Sequence, residues 1–252
     1  DAITEVGIDA AGLLKDDKVH TTLALVHTYP DGDRDFSFYR KPGADMMLRQ
    51  EELPLELLKK TRIFHFGTLS MTNEPARDAT YKAVEYAAGR GKLISFDPNL
   101  RKPLWNDLDE AKRQMLWGLR HADVVKISDE ETEFLFSLAP EESAKHIIDS
   151  FGVRLVYVTC GAEGCFYRTK TASGFVKALS GIAVKDTTGA GDIFGGSAMY
   201  GLLRAGGVPE KLTAEELENI VSFACASAGL STTKAGGISS VPELGEVEAA
   251  MK

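Results

Sequence analysis

Residues 186–192 read Asp-Thr-Thr-Gly-Ala-Gly-Asp, and the apolar run after them predicts that a helix begins inside this stretch. The first backbone N–H groups of a helix lack acceptors and stand at the positive end of the helix dipole. Gly189 and Gly191 would let an anion approach these amides closely, because neither has a Cβ. A carboxylate at Asp192 is useful beside such an anion if it takes a proton from an attacking hydroxyl. The stretch therefore predicts phosphoryl transfer to an alcohol, with Asp192 as base and the amides of Gly189, Ala190 and Gly191 stabilising charge.

A glycine-rich helix start capped by an acid also occurs without any chemistry, so the glycine spacing alone leaves that interpretation open. The whole string is more specific, and it resembles the second signature of the PfkB, or ribokinase-like, carbohydrate kinases. Further motifs stand in family order over nearly the whole chain and are most like those of fructokinases. The resemblance implies an α/β fold of three layers, with a mainly parallel sheet, helices on both faces and a small β lid. It also implies transfer of the γ-phosphoryl group of ATP, with Mg²⁺, to a primary hydroxyl of a small sugar, foremost fructose.

Length and composition are those of a globular α/β chain with one large core. Of the 252 residues, 44% are hydrophobic and 26% are charged, which are ordinary proportions. A net charge of -8 argues against nucleic acid as a partner, because no basic stripe is available to neutralise phosphates. No apolar run approaches the ~20 residues of a membrane span, so we expect no membrane partner.

The cysteines and histidines show no pattern of metal ligation. Cys160, Cys165 and Cys225 form neither a disulfide framework nor a zinc motif. Free thiols are typical of a reducing compartment, so the expected location is the cytoplasm. The five histidines lack ligand spacing, and we expect them to be solvated or hydrogen-bonded in the core.

Two stretches near the N-terminus predict a β-hairpin. Thr21–Val26 and Asp35–Tyr39 have strand-like patterns, and Asp31-Gly32 between them is a strong turn signal. An edge hairpin of the main sheet, a lid and a dimer clasp all fit this pattern, and the kinase resemblance favours the lid. We therefore assign residues 13–48 to a lid, with a homodimer through this hairpin as a further expectation, and residues 49–252 to the kinase core.

From residue 50 onward, helical and strand patterns alternate. The predicted helices are 53–60, 75–88, 108–121, 129–137, 142–151, 190–205 and 214–231. The predicted strands are 62–66, 93–96, 124–127 and 155–159, followed by a small β segment at 164–177. Short apolar strands that alternate with amphipathic helices predict a parallel sheet covered on both faces. Ligands of such sheets bind beyond the carboxyl ends of the strands.

The family's first strand, with a sugar-binding Asp and a Gly-Gly…Asn motif, has no counterpart in this chain. Asp1 is not an initiator Met, and the first residues look like the end of a helix that leads into a strand. We therefore expect that the N-terminal part of the core precedes residue 1.

Polar side chains follow the predicted strand 93–96 at alternate positions. Asp97, Asn99 and Arg101 belong to the run Asp-Pro-Asn-Leu-Arg, which suits a polyhydroxylated or anionic ligand. An Asx turn, with a surface partner for Arg101, explains the same residues equally well. The run resembles a stretch shared by PfkB fructokinases and 2-keto-3-deoxygluconate kinases, which implies that it lies near the sugar and the transferred phosphate.

Two further strand ends resemble parts of the family's nucleotide site. After strand 124–127, Ser128 stands where the family has Asn and Glu131 where it has a Glu that holds Mg²⁺ through water, so the resemblance places Lys126 and Ser128 near the nucleotide. Helix capping is the other role open to Ser128. After strand 155–159, Thr159, Gly161 and Gly164 resemble the nucleotide-binding loop, although a tight turn would need the glycines too.

The helix at 214–231 and the segment after it resemble the part of the family that closes over adenine, near Cys225 and Ala228. The family often has Asn where Cys225 stands, so purine recognition here is expected from apolar packing and the backbone. The resemblance also implies a monovalent cation such as K⁺, held by backbone carbonyls around Asp186 and Thr188. A plain helix end followed by a loop is the alternative.

Tyr39, Arg40 and Asp45 follow the hairpin and are candidate sugar contacts. The Gly-Ala-Asp form at 43–45 is similar to fructokinases. Arg40 is open to two interpretations, as a surface charge or as a contact to an anionic sugar or a phosphate.

Rival functions stay open at the level of sequence. A 2-keto-3-deoxygluconate kinase is the nearest alternative, and a ribokinase or nucleoside kinase is more distant. A catalytically silent sugar- or nucleotide-sensing module on the same fold is the alternative from another class, and the intact Asp192 argues against it. A dinucleotide-dependent oxidoreductase is excluded because no Gly-x-Gly-x-x-Gly follows an early strand.

Overall fold

A computed structural model of the chain describes residues 2–28 and 34–252, and its centre is a six-stranded sheet. The strands in chain order are β1 (Leu23–Thr28), β2 (Arg34–Tyr39), β3 (Ile63–Gly67), β4 (Leu93–Asp97), β5 (Val124–Ser128), β6 (Leu155–Thr159), β7 (Gly164–Arg168) and β8 (Ser173–Lys177). The large sheet contains β3 to β8 in chain order. Its pairs from β3 to β6 are parallel, and the last two pairs are antiparallel.

The helices are α1 (Ala2–Glu5), α2 (Leu55–Lys60), α3 (Ala76–Ala88), α4 (Leu108–His121), α5 (Asp129–Phe136), α6 (Pro140–Phe151), α7 (Ala190–Arg204), α8 (Ala214–Ser231) and α9 (Leu244–Ala250). Several begin with the side-chain caps that the sequence favours. The Asp107 carboxylate accepts from the backbone of Asp109 at the start of α4, and α8 begins with a capping box of Thr213 and Glu216. Among the described residues, no helix is both long and apolar enough to cross a membrane.

Helices cover both faces of the sheet, so the architecture has the three layers expected from the sequence. On one face, α3, α4, α5 and α6 bury a core that contains Val84, Met115 and Ile147. On the other face, α7 and α8 pack over the strands through residues such as Phe194 and Leu217. Every residue of β4 is buried, as expected for a parallel strand with helices on both sides.

The packing between α4 and the sheet leaves no room for a side chain at Gly118. A Cβ built there would lie 2.2 Å from Cζ of the Phe96 ring, which is far inside van der Waals contact. The glycine therefore lets the helix approach β4 across a large aromatic side chain.

The hairpin strands β1 and β2 pair antiparallel in a sheet of their own. The alternative of an edge hairpin of the main sheet is therefore wrong, whereas the roles of lid and clasp stay predictions. The first strand begins and ends two residues later than predicted, because Thr21 and Thr22 precede the paired residues. The predicted turn at Asp31-Gly32 lies outside the described residues.

Most predicted elements are found within three residues of their expected bounds. Helix α6 begins earlier than predicted because Pro140 occupies its first turn, where its missing N–H costs nothing. Helix α9 and short 3₁₀ turns were not predicted; the turns are at 44–46, 50–52, 68–71, 102–104, 161–163, 209–211 and 238–240.

Candidate active site

A cleft of about 690 Å³ lies beyond the carboxyl ends of β5 and β6, beside the start of α7. It lies where a parallel sheet is expected to bind its ligand. The predicted site residues that line it are Asn99, Arg101, Lys126, Ser128, Glu131, Thr159, Gly161, Gly164, Ala190, Gly191, Cys225 and Ala228. A second cavity of about 600 Å³, at the opposite ends of the strands, is lined by none of the predicted site residues.

The start of α7 presents free amides to the solvent at this cleft. Gly189 precedes the helix with φ +76°, a conformation that favours glycine, and its carbonyl accepts from the Ile193 amide at 2.8 Å. The Ala190 amide is hydrogen-bonded to the Thr187 carbonyl at 3.2 Å. Within the part of the chain that the structure describes, the exposed amides of Gly191 and Asp192 have no acceptor. Two donors at a helix N-terminus are therefore available to an anion.

Asp192 faces the loop that follows β4. Its Oδ1 lies 3.5 Å from Nδ2 of Asn99, a long contact that nevertheless brings these predicted catalytic and substrate residues together. Asn99 has φ +46°, and its backbone N–H donates to Asp97 Oδ1 at 3.1 Å in an Asx turn. Asp97 and Asn99 therefore form the Asx turn that the sequence allows, and the side chain of Asn99 also reaches the predicted base.

Asp97 is buried and forms an ion pair with Lys126, at 3.1 Å between Oδ2 and Nζ. Burial raises the pKa of Asp97 to about 6, although Lys126 acts in the opposite direction. Burial disfavours the charge on Lys126, but Asp97 and then Glu131 outweigh it and raise its pKa. Asp97 therefore lies behind the cleft wall, whereas its partner Lys126 lines the cleft. A direct contact between Asp97 and the sugar stays a prediction, and the burial of this side chain does not favour it.

Glu131 and Ser128 form the capping box at the start of α5. Oε2 of Glu131 accepts from the Ser128 amide at 2.8 Å, and Oε1 accepts from the Leu100 amide at 2.7 Å. The described residues contain no cluster of His, Cys, Asp or Glu that would enclose a metal. A carboxylate with both oxygens already bonded fits Mg²⁺ held through water and phosphates, because this ion keeps much of its hydration shell.

The loop from β6 to β7 forms the next wall of the cleft. Gly164 has φ +133°, and a Cβ on it would lie 2.0 Å from the Val176 carbonyl oxygen. Gly161 has φ +52° and open space around its Cα. Thr159 ends β6 and lines the cleft beside both glycines. The loop therefore offers small residues at the point where the sequence predicts phosphates.

An apolar wall that the sequence analysis missed faces this loop. Leu179, Ile182 and Val184 line the cleft together with Cys225 and Ala228 on α8. The segment packs closely on α8, because a Cβ on Gly229 would lie 2.9 Å from Cδ1 of Ile182. Burial raises the pKa of Cys225 to about 12, so its thiol contributes an uncharged surface. The sequence of this segment is apolar but has neither the two-residue repeat of a strand nor the 3.6-residue repeat of a helix, and Val184 in it is 61% exposed.

Asp186 links the loop before α7 to the segment after α8. Its Oδ1 accepts from the Thr188 amide at 2.8 Å and its Oδ2 from the Gly236 amide at 2.9 Å. The carbonyl of Thr232 accepts from the Asp186 amide at 3.1 Å. The two segments expected to hold a monovalent cation therefore lie together, and the cation itself stays a prediction.

Arg40 and Asp45 do not reach the cleft, and neither does Tyr39. Arg40 is buried, so its interpretation as a surface charge is wrong: its guanidinium donates to Asp45 Oδ2 at 2.7 Å and to Thr72 Oγ1 at 2.8 Å. Burial opposes the Asp45 charge, but hydrogen bonds from Arg40 and Thr22 lower its pKa. Because these charges satisfy each other, the structure gives them a role in holding the hairpin exit, and sugar contact stays a prediction.

His65 is a titratable neighbour of the site that the sequence analysis left among the ordinary histidines. It lies on β3 with Nδ1 3.0 Å from Oγ of Ser95. Burial lowers the pKa of His65, although the charge of Asp192 acts in the opposite direction. Its position follows from strand pairing, which a single histidine in the sequence does not reveal.

Comparisons with known proteins agree with this geometry. A model of the pfkB family of carbohydrate kinases matches residues 1–244. Probable fructokinase-2 of Arabidopsis thaliana is 41% identical over 237 residues, which cover 93% of this chain and 71% of that protein.

Solved structures show the same likeness. Fructokinase with bound ATP from Xylella fastidiosa has a TM-score of 0.90 at 30% identity, over 100% of this chain and 79% of that chain. A fructokinase double mutant from Vibrio cholerae O395, with fructose, ADP and a potassium ion bound, has a TM-score of 0.87 at 29% identity. That match covers 99% of this chain and 79% of the other.

Proposed function

The chain belongs to the pfkB family of carbohydrate kinases, and from this premise we propose that it is a fructokinase. It is a phosphotransferase with a sugar hydroxyl as acceptor. Fructose is the acceptor favoured by the similarity to fructokinases from plants and bacteria, one of which was solved with fructose and ADP. The observation that carries the proposal is the pair of free amides at Gly191 and Asp192, beside the Asp192 carboxylate, which contacts Asn99 of the cleft wall.

In the proposed reaction, Asp192 takes the proton of the primary sugar hydroxyl as its oxygen attacks the γ-phosphorus of ATP. The side-chain amide of Asn99 holds the Asp192 carboxylate toward the strand-end loop. The free amides of Gly191 and Asp192 stabilise the charge on the transferring phosphoryl group, and Gly189 forms the turn before them. The Ala190 amide is already hydrogen-bonded to the Thr187 carbonyl. Such transfers need positioning and charge stabilisation rather than covalent work by the protein.

The nucleotide is proposed to lie between two walls of the cleft. Its phosphates would face Thr159 and the small residues after it, and its base would pack on the apolar wall that includes Ile182 and Ala228. Mg²⁺ would be held through water by Glu131 and would neutralise charge on the phosphates. A monovalent cation such as K⁺ would be held by backbone carbonyls near Asp186 and Thr188.

Three further parts of the proposal concern the whole molecule. We assign residues 13–48 to a lid and 49–252 to the core. Exposed Leu23, Leu25 and Tyr39 on the hairpin support a homodimer through that hairpin. Three free, buried cysteines support a location in the reducing cytoplasm.

The acceptor is tested by ADP release with Mg-ATP and a panel of fructose, 2-keto-3-deoxygluconate, ribose and adenosine. Turnover that is fastest on fructose supports the proposal. Preference for another member of the panel would replace fructose by that acceptor. No turnover on any of them, by a folded protein that binds ATP, would contradict the kinase and favour a sensing module.

A further inference from the structure

Lys126 carries a buried charge that the reaction outlined above does not use. Its side chain is 12% exposed, and that of its partner Asp97 is 7% exposed. Removing an ammonium from water is costly unless ion pairs and hydrogen bonds replace its hydration. Among the described residues, Asp97 is the carboxylate within ion-pair distance, and one oxygen cannot satisfy the three N–H donors of a lysine. Donors of Lys126 therefore remain for a ligand, and Lys126 lines the cleft.

The ammonium lies directly beside the start of α7. A Cβ built on Gly191 would have Lys126 Nζ as its nearest neighbour, at 3.2 Å. The amide of Gly191 is one of the two that have no acceptor in the described chain. A full positive charge and a free helix-terminal amide thus converge on the same part of the cleft, where charge-assisted contacts to phosphate oxygens are strong.

Asp97 connects this charge to the other side of the site. Its Oδ2 holds Lys126, and its Oδ1 accepts from the backbone of Asn99, whose side chain contacts Asp192. The buried carboxylate of Asp97 therefore links two parts of the site: the loop at Asn99, which orients the proposed base, and the Lys126 ammonium beside the proposed anion site. Glu131 and Asp192 complete the set of carboxylates around Lys126.

We propose that Lys126 is a catalytic residue that contacts the transferring γ-phosphoryl group, and that Asp97 is a positioning residue that holds Lys126 and Asn99. This inference rests on the proposed kinase function and assigns Asp97 a task other than sugar binding. In the step, the sugar oxygen forms a bond to phosphorus as the bond to the β–γ bridging oxygen of ATP breaks. The hydroxyl proton goes to Asp192, ADP leaves, and Lys126 keeps its own proton throughout.

The test compares the affinities for ATP and ADP, measured by calorimetry without sugar, together with kcat and KM for fructose. Lys126→Met leaves the Asp97 charge buried and unpaired, so the double variant Lys126→Met/Asp97→Asn is included because it removes both charges. Lys145→Met is the matched control, since this lysine is 64% exposed and pairs with Asp149 on the surface of α6.

We expect the double variant to bind ATP about tenfold more weakly and ADP within about twofold of the parent, because only ATP has a γ-phosphate. Its kcat should fall about 10²-fold, the scale for loss of one transition-state donor, with KM for fructose little changed. Asp97→Asn alone should weaken ATP selectively, and it should have no further effect on that selectivity once Lys126 is Met, because the two act as a unit.

An unchanged ratio of ATP to ADP affinity in a folded double variant would overturn the role of Lys126, as would the same loss in Lys145→Met. Additive effects of the two substitutions would overturn the positioning role of Asp97. The binding arm needs no sugar, so absence of turnover in the parent protein would contradict the proposed acceptor while the Lys126 assignment is still decided.

Discussion

Protonation of Asp97 should slow phosphoryl transfer below neutral pH. Burial raises the pKa of this carboxyl to about 6, and the charged groups that face it are Lys126, Glu131 and Asp192, with His65 on the neighbouring strand. Above that pH the carboxylate holds the ammonium of Lys126; below it the ion pair is lost. A single group with this pKa is about 90% ionised at pH 7 and about 10% ionised at pH 5. We therefore expect kcat to fall about tenfold across this interval.

The assay is the initial rate of ADP release at saturating Mg-ATP and fructose between pH 5 and 8, with circular dichroism at each pH to verify folding. Asp97→Asn should give a lower kcat without this acid limb. His65→Gln is the matched control and should keep the limb, because it removes the neighbouring histidine and leaves the Asp97 carboxyl in place. A parent kcat that changes less than about twofold, or a limb that persists in Asp97→Asn, would refute the reasoning.

Further predictions concern packing and assembly. Gly118→Ala should destabilise the fold by about 1–3 kcal/mol, because its Cβ would collide with the ring of β4, whereas Gly195→Ala meets nothing within 4 Å and should be neutral or stabilising in thermal melts. Gly164→Ala should lower the melting temperature far more than Gly161→Ala, since only the former places a Cβ against a carbonyl; equal shifts would contradict this account of the loop. Leu25→Asp should convert a homodimer into a monomer in sedimentation at micromolar concentration, and a monomeric parent protein would rule out assembly through the hairpin.

The alternation of strands and helices could be predicted because its cause is local. A parallel strand such as β4 is buried on both faces and is therefore mostly apolar, with Leu93, Ile94 and Phe96 as its apolar residues. Helix α9 could not be predicted because it has only seven residues and contains Gly245, so its helical repeat is short and interrupted.

The candidate site was predictable in type and position but not in its internal pairing. Glycines and acids at strand ends mark the cleft, since the chain order of a parallel sheet brings those ends together. The ion pair of Asp97 with Lys126 joins β4 to β5. The hydrogen bond from Arg40 to Thr72 joins the end of the hairpin to the residue after the 3₁₀ turn at 68–71. Such partners are set by three-dimensional packing, and nothing in the local sequence distinguishes Arg40 from an exposed arginine.

The most direct test of the central claim is the turnover of Asp192→Asn with Mg-ATP and fructose, measured beside the parent protein. The substitution keeps the size of the side chain and removes the base, while the amides of the α7 start remain. The account predicts that kcat falls at least ~10²-fold, the usual scale for a general base, while nucleotide affinity is largely retained. Near-normal turnover in this variant would contradict the assignment of Asp192 as the base.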